Sequence, residues 1–296
     1  MAHQELFWQK FYENAWAFRA DFMRSLLNGG GLNTYQIIHK LSNMERLYEL
    51  SMTTADESVQ WNAREFKDDN KLDFANIPIA TNTSAYGNLL TVPYHFSYNF
   101  SDLLIDIYDR TGPYDSIVEL GCGYGRNLFE IFYRGGPIDV PYFGGEFTKS
   151  GVEIATELAT ATPNMKTKFF HFNHLKPDLN GFDFGKRALI FTCHSIEQVR
   201  EISDDWFKVV AGAADEVVGV HLEPFGFQVK YLSEISQRHQ KFMEKNHWNL
   251  NFAQVLIDAT NKETIVLDDT LLENSLPEDP TNPGSIAIWH SNKDKQ

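Results

Sequence analysis

Two cysteines in 296 residues are too few for a disulfide framework. Cys122 and Cys193 fall at the ends of apolar runs, where a buried free thiol is the ordinary arrangement and no zinc site is suggested. The chain also lacks any run of eighteen apolar residues, which argues against a helical membrane span. Positive charge is scarce: 26 Lys and Arg stand against 40 Asp and Glu, a formal net charge of −14. Such a chain repels a phosphate backbone, and no basic tract with interleaved aromatics occurs, so nucleic acid and anionic membranes are disfavoured as partners. No basic-then-apolar leader opens the sequence. MAHQELFWQKFYENAW mixes charges and aromatics from the start, which sets a cytoplasmic expectation. Internal repeats and low-complexity tracts are missing as well.

What is present is globular. Hydrophobic residues make up 43% and charged residues 22%, and the length suits one large α/β domain with an appendage or two modest domains. From Glu5 to Leu27 apolar residues recur at Phe7, Phe11, Ala15, Phe18, Phe22 and Leu26, a spacing that predicts one core-facing helical stripe. NGGG at 28–31 ends it. A second helical pattern runs from Thr34, read as its cap, to Leu50, with Ile37, Ile38, Leu41, Met44 and Leu47 apolar. Between 51 and 94 the pattern weakens and reads as irregular structure joining two modules. The expected domains are therefore 1–90, a helical cap that selects substrate, and 91–296.

Beyond the boundary, short β-branched or aromatic runs alternate with helical stretches, as in βαβ units. The expected strands are SIVEL (116–120), YFGGE (142–146), KFFHF (168–172), ALIFTC (188–193), EVVGVHLE (216–223), ETIVLD (263–268) and SIAIWH (285–290). No clear helix separates the last two, which predicts a closing antiparallel hairpin.

The first of these strands leads into SIVELGCGYGRN, residues 116–127. Strand, glycine turn and helix place bare backbone at the carboxyl end of a strand, where a doubly wound sheet binds ligands. A dinucleotide fingerprint requires glycine at the first, third and sixth positions, and the sixth here is Arg126. The spacing Gly121, Gly123, Gly125, with Glu119 two residues ahead, instead resembles the first motif of class I S-adenosylmethionine-dependent methyltransferases, and the resemblance extends over about residues 95–290. It implies an α/β fold with a seven-stranded, mainly parallel, doubly wound sheet of order 3-2-1-4-5-7-6, its last strand antiparallel, and an N-terminal helical extension. It also implies S-adenosylmethionine as cofactor. The chemistry of the turn agrees: a carboxylate favours the ammonium and sulfonium of that cofactor and would repel a pyrophosphate.

The resemblance places Glu119, Gly121, Gly123, Gly125 and Asn127 around the cofactor, with Glu146 at the end of the second strand receiving the ribose hydroxyls. After the third strand Asn173 and His174 stand where the family usually has an acid for the adenine amino group; Asn173 can still accept through its amide oxygen. Upstream, Tyr94, Phe96 and Tyr98 are candidates for a lid over the sulfonium through cation–π attraction, with Tyr98 carried as the cofactor contact. Packing of the N-terminal helices is the competing reading for these aromatics.

Two strand ends supply the candidates for proton transfer. After the fourth strand, Ser195, Ile196, Glu197 and Gln198 resemble the SLEH-type segment of small-molecule methyltransferases, with Gln198 in place of the His. If strands 4 and 5 are neighbours, His194, His221 and Glu223 converge. In-line displacement at a sulfonium needs mainly alignment, and a base helps when the acceptor is a hydroxyl or protonated amine. His194 is the first choice as base and His221 the second. The same trio has the composition of an oxygen-activating iron site, but spacing is its only support and no metal is expected.

The leading expectation is methyl transfer to a small polar metabolite, a sugar or related intermediate, by a protein that binds neither nucleic acid nor membrane. Its N-terminal helices are available as a homo-oligomer contact. A peptide or protein substrate stays open, as does a non-catalytic cofactor-binding scaffold; a nicotinamide-dependent oxidoreductase is disfavoured by the glycine spacing.

Overall fold

The computed structural model describes residues 2–52, 59–63, 79–85, 88–94, 100–229, 234–273 and 284–292. Its elements in chain order begin with α1 (Ala2–Gly29), α2 (Thr34–Leu47), β1 (Tyr48–Met52), β2 (Val59–Ala63), β3 (Ile79–Ala85), β4 (Asn88–Tyr94) and α3 (Phe100–Thr111). There follow β5 (Ser116–Leu120), α4 (Arg126–Tyr133), β6 (Tyr142–Glu146), α5 (Lys149–Ala159), β7 (Thr167–His171) and β8 (Arg187–Cys193). The chain continues through α6 (Trp206–Ala211), β9 (Glu216–Glu223), α7 (Gly226–Val229), α8 (Glu234–Asn246), α9 (Phe252–Asn261), β10 (Ile265–Leu272) and β11 (Ser285–Ser291).

The hydrogen-bonded strand order of the larger sheet is β4-β3-β10-β11-β9-β8-β5-β6-β7. Its last seven strands carry the expected order 3-2-1-4-5-7-6, with β5, β8 and β9 parallel and β11 antiparallel to both β9 and β10. The segment expected to be irregular is partly extended. β1 pairs with β2, and β3 pairs with β4 while adding to the sheet beyond β10. Asn, Gly and Pro interrupt the alternation in 79–94, so a partner strand in the fold rather than local pattern decides its conformation.

The chain divides into two compact units, Met1–Lys71 with Cys122–His171, and Leu72–Gly121 with Phe172–Gln296. In the first unit, α1 packs along α5. Arg24 makes a paired hydrogen bond to the Glu157 carboxylate (2.8–3.1 Å). The buried face of α1 is Ala15, Ala20 and Met23, while Phe18 is 40% exposed. The observed face is therefore rotated from the expected stripe, because small residues let the helix backbone approach its neighbour more closely than the phenylalanines would allow. At α2 the cap is Asn33, which forms a reciprocal capping box with Gln36. Thr34 lies inside the helix instead and donates its hydroxyl to the Leu158 carbonyl (2.6 Å). Ile37, Ile38 and Leu41 are fully buried, as the periodicity requires.

The second unit is built on β5, β8 and β9, whose Val118, Leu189, Ile190, Phe191 and Val220 are fully buried. Near-continuous apolar runs are what strands covered on both faces require. Trp289 of β11 lies against Gly219 of β9, its partner in register. A Cβ at Gly219 would sit 2.1 Å from that indole, so only glycine admits the ring.

Candidate functional site

Gly121, Gly123 and Gly125 adopt φ of +85°, +55° and +81°, the left-handed region that disfavours any Cβ. In the first unit the Gly125 N–H donates to Cys122 O (2.8 Å), and the Cys122 N–H donates to Gly145 O on β6 (3.0 Å). Gly125 is the N-cap of α4, and Asn127 lies half-buried in that helix's first turn. A Cβ at Gly123 would meet the Trp16 ring of α1 at 2.7 Å, and one at Gly125 would meet Phe169 at 3.0 Å. Protein groups thus use part of the close approach that these glycines permit.

Glu146 closes β6 beside this turn and is buried. Its Oε2 accepts from the Gly123 N–H (2.9 Å), and its Oε1 accepts from the Thr148 N–H and hydroxyl (both 2.8 Å). Burial raises its pKa, while the donors from Thr148 and Gly123 pull the other way. Glu146 therefore ties the glycine turn to the start of α5, whose N-cap is Thr148. The next residues are held by α1: Glu13 accepts from the Lys149 N–H (3.1 Å) and from the Ser150 N–H (3.0 Å) and hydroxyl (2.8 Å).

In the second unit Glu119 is 1% exposed on β5, in register with Phe191 of β8. Gly121 follows it, and a Cβ there would strike Ser195 Cβ at 2.2 Å. Asn173 spends its amide oxygen on the Leu175 N–H (2.9 Å), a local turn that satisfies the acceptor the adenine contact would use. His174 is buried, stacks on Trp206 and lies 3.2 Å from Ser195 Oγ through Nε2. Its other nitrogen, Nδ1, has no partner, and burial pushes its pKa down to about 3, so the ring is a neutral core group.

The three proton-transfer candidates separate. His194 follows β8 with φ +50° and a side chain 29% exposed, and its Nδ1 lies 2.9 Å from Glu197 Oε2. Donation from Nδ1–H to that carboxylate places the imidazole lone pair on Nε2, the arrangement of an oriented base. His221 is corrected from base to core residue. It is fully buried on β9, its Nε2 accepts from the Trp289 indole N–H (2.7 Å), and its Nδ1 lies 2.9 Å from Thr192 Oγ1. The indole donor requires the proton on Nδ1, both ring nitrogens are then engaged, and burial lowers the pKa to about 3.

Glu223 is likewise fully buried, and its carboxylate accepts from the N–H groups of Ser195, Ile196 and Glu197 at 3.1–3.2 Å. Burial first, and the neighbouring Glu197 second, push it up to about 7 against those donors and His194. Its role as a group acting on substrate is corrected too: its oxygens face the chain. Glu197 is the functional residue that sequence reasoning passed over as part of a motif. Its signal was the i, i+3 spacing from His194 across a turn. Tyr98 and Phe96 lie outside the described residues, and only the backbone of Tyr94 is described. Among the described residues no group of three or more His, Cys, Asp or Glu is placed to hold a metal ion, and no helix is long and apolar enough to cross a membrane.

No protein-family model and no curated protein matches the chain. Solved structures to which it is similar include geranyl diphosphate C-methyltransferase from Streptomyces coelicolor A3(2), in complex with S-adenosyl-L-homocysteine, at 13% identity. That match covers 65% of this chain and 78% of that one, with a TM-score of 0.43. The plantazolicin methyltransferase BpumL matches at 13% identity over 65% and 82% of the two chains, TM-score 0.42. Magnesium protoporphyrin IX methyltransferase (ChlM) from Synechocystis PCC 6803 matches at 14% over 64% and 81%, TM-score 0.43.

Proposed function

We propose that this protein is an S-adenosylmethionine-dependent methyltransferase acting on a small polar metabolite, with His194 as the base. The observation that carries the reading is the turn at 121–125: three left-handed glycines at alternate positions, led by the buried Glu119. The donor set fits a cationic nucleoside. Two buried carboxylates, Glu119 and Glu146, stand at the ends of β5 and β6. The basic residue of the turn, Arg126, is directed at Glu130 (2.9 Å) in its own helix. A pyrophosphate would meet the opposite charge balance.

The bound cofactor supplies a methyl group activated by a sulfonium leaving group. Glu146, its Oε1 already holding Thr148, offers the ribose hydroxyls Oε2, and the glycines admit the methionine end to the backbone. His194 takes the acceptor's proton at Nε2, while Glu197 orients the ring and stabilises the imidazolium. An acidic chain with a His–Glu base favours an uncharged or cationic acceptor, hydroxyl or amine, over an anionic one.

Calorimetry with S-adenosylhomocysteine and, in parallel, NAD tests the cofactor. Micromolar binding of the first and none of the second is expected, and the reverse would overturn the reading. Transfer of labelled methyl groups to a panel of sugars and amines then tests the acceptor class.

A further inference from the structure

The proposal concerns what holds the His194–Glu197 pair, and it rests on His194 as the base of the methyl-transfer reading. Left-handed backbone at a residue with a bulky side chain costs on the order of 1 kcal/mol and persists only where surrounding contacts impose it. At His194 the contacts come from two consecutive residues of β9. The Leu222 carbonyl accepts the His194 N–H (2.9 Å). The side chain of the next residue, Glu223, then accepts the N–H groups of the three residues that follow His194: Ser195 and Ile196 at Oε1 (3.1 and 3.2 Å) and Glu197 at Oε2 (3.1 Å).

Three successive N–H groups converging on one anion form a concave nest, and an anion seated in it dictates the backbone conformation of the segment. Here the anion belongs to the chain. The last N–H in the nest is that of Glu197, whose carboxylate is the one bonded to His194 Nδ1. The first is that of Ser195, whose hydroxyl lies 3.0 Å from the Leu120 carbonyl and 3.3 Å from Glu223 Oε1. Ser195 also abuts Gly121, where a Cβ would overlap it. Within the second unit, the segment that presents the base is therefore seated on the first glycine of the turn at one end and on β9 at the other.

We propose that Glu223 is a positioning residue: its buried carboxylate is the internal anion that folds residues 195–197 so that Glu197 meets His194 Nδ1, and Ser195 keys that fold to the glycine turn. A glutamine of the same shape presents an N–H donor where one of the three backbone donors needs an acceptor, and opens the nest on that side. Aspartate keeps the buried charge but withdraws it by one methylene.

The test uses the full chain without any acceptor. Protein labelled with 15N-histidine is observed by proton NMR for the downfield Nδ1–H of His194, assigned by its disappearance in His194→Ala. The resonance is expected in the wild type and lost in Glu197→Gln. It should be lost as well in Glu223→Gln and Glu223→Asp, both folded by thermal melting and far-ultraviolet circular dichroism; a role in stability alone would leave it in place. Because Glu223→Asp conserves the charge, loss there reads position rather than electrostatics, and it carries the test if Glu223→Gln does not fold. A folded Glu223 variant that keeps the wild-type resonance overturns the proposal, and so does failure of both variants to fold, which would leave Glu223 as a stability residue. S-adenosylhomocysteine binding by the wild type, measured on the same samples, tests the methyl-transfer reading separately; its absence removes that reading and leaves the imidazole result standing.

Discussion

Glu146 carries two loads at once. It accepts three hydrogen bonds that fix the glycine turn against α5, and under the proposed function it also meets the ribose. Glu146→Ala is accordingly expected to weaken S-adenosylhomocysteine binding by about tenfold or more, and to lower unfolding stability by about 1–3 kcal/mol because buried donors lose their acceptor. Calorimetry and urea titration read the two effects independently. His194→Ala should behave differently: cofactor affinity within about threefold of wild type, but turnover reduced by a factor on the order of 10²–10⁴, the usual contribution of a positioned base. Single-turnover transfer from labelled cofactor measures it once an acceptor is in hand, and unchanged turnover would leave positioning alone to carry the reaction.

At the scale of elements, two substitutions probe how the sequence sets local structure. Asn33 caps α2 through the Gln36 N–H while Gln36 returns the bond to the Asn33 N–H. Asn33→Ala should cost about 1 kcal/mol, visible as a lower urea midpoint. Gly219→Ala should cost about 1–3 kcal/mol, since its methyl group would have to displace the fully buried Trp289 from β9. Gly29→Ala, with open space around the position, is the control and should stay within about 0.5 kcal/mol of wild type. Equal midpoints for the two glycine variants would contradict the close β9–β11 contact. Elements also mark where local pattern and structure part. The strands around 116–120, 142–146 and 216–223 were legible because their apolar runs are bounded by turn residues. β3 and β4 were not, because pairing with β10 and with each other supplies what IATNTSA and NLLTVPY do not announce.

Across the whole molecule, buried ionisable groups set the response to pH. His174 and His221 are neutral in the fold down to about pH 3, whereas an unfolded chain protonates them near 6.5. Above 6.5 neither state binds the extra proton; below it the unfolded state does, so stability falls with falling pH across that window, by up to about 1.4 kcal/mol per pH unit for each imidazole. Glu223 acts in the opposite sense. Its carboxyl, pushed up to about 7, holds a proton between the ordinary glutamate value and 7 that the unfolded chain releases, so its term weakens the fold as pH rises there. The histidine terms stand alone at lower pH, and His221→Asn should flatten the dependence of the urea midpoint between pH 4.5 and 3.5, values set by the cited shifts, despite costing stability at neutrality. An unchanged slope would place the His221 titration elsewhere.

The sequence by itself determined the strand order of the seven central strands, the glycine turn and the acids at 119 and 146, because alternation, apolar runs and glycine spacing are properties of neighbours along the chain. It determined equally that His194 and Glu197 lie one short turn apart. Only the tertiary structure decided which histidine is sealed in the core, which carboxylate is spent on backbone donors, and which face of α1 is buried. Burial and hydrogen-bond partnership belong to groups that meet across dozens of residues, as His221 meets Trp289 and Glu223 meets the segment after His194, and residue type carries no record of that meeting.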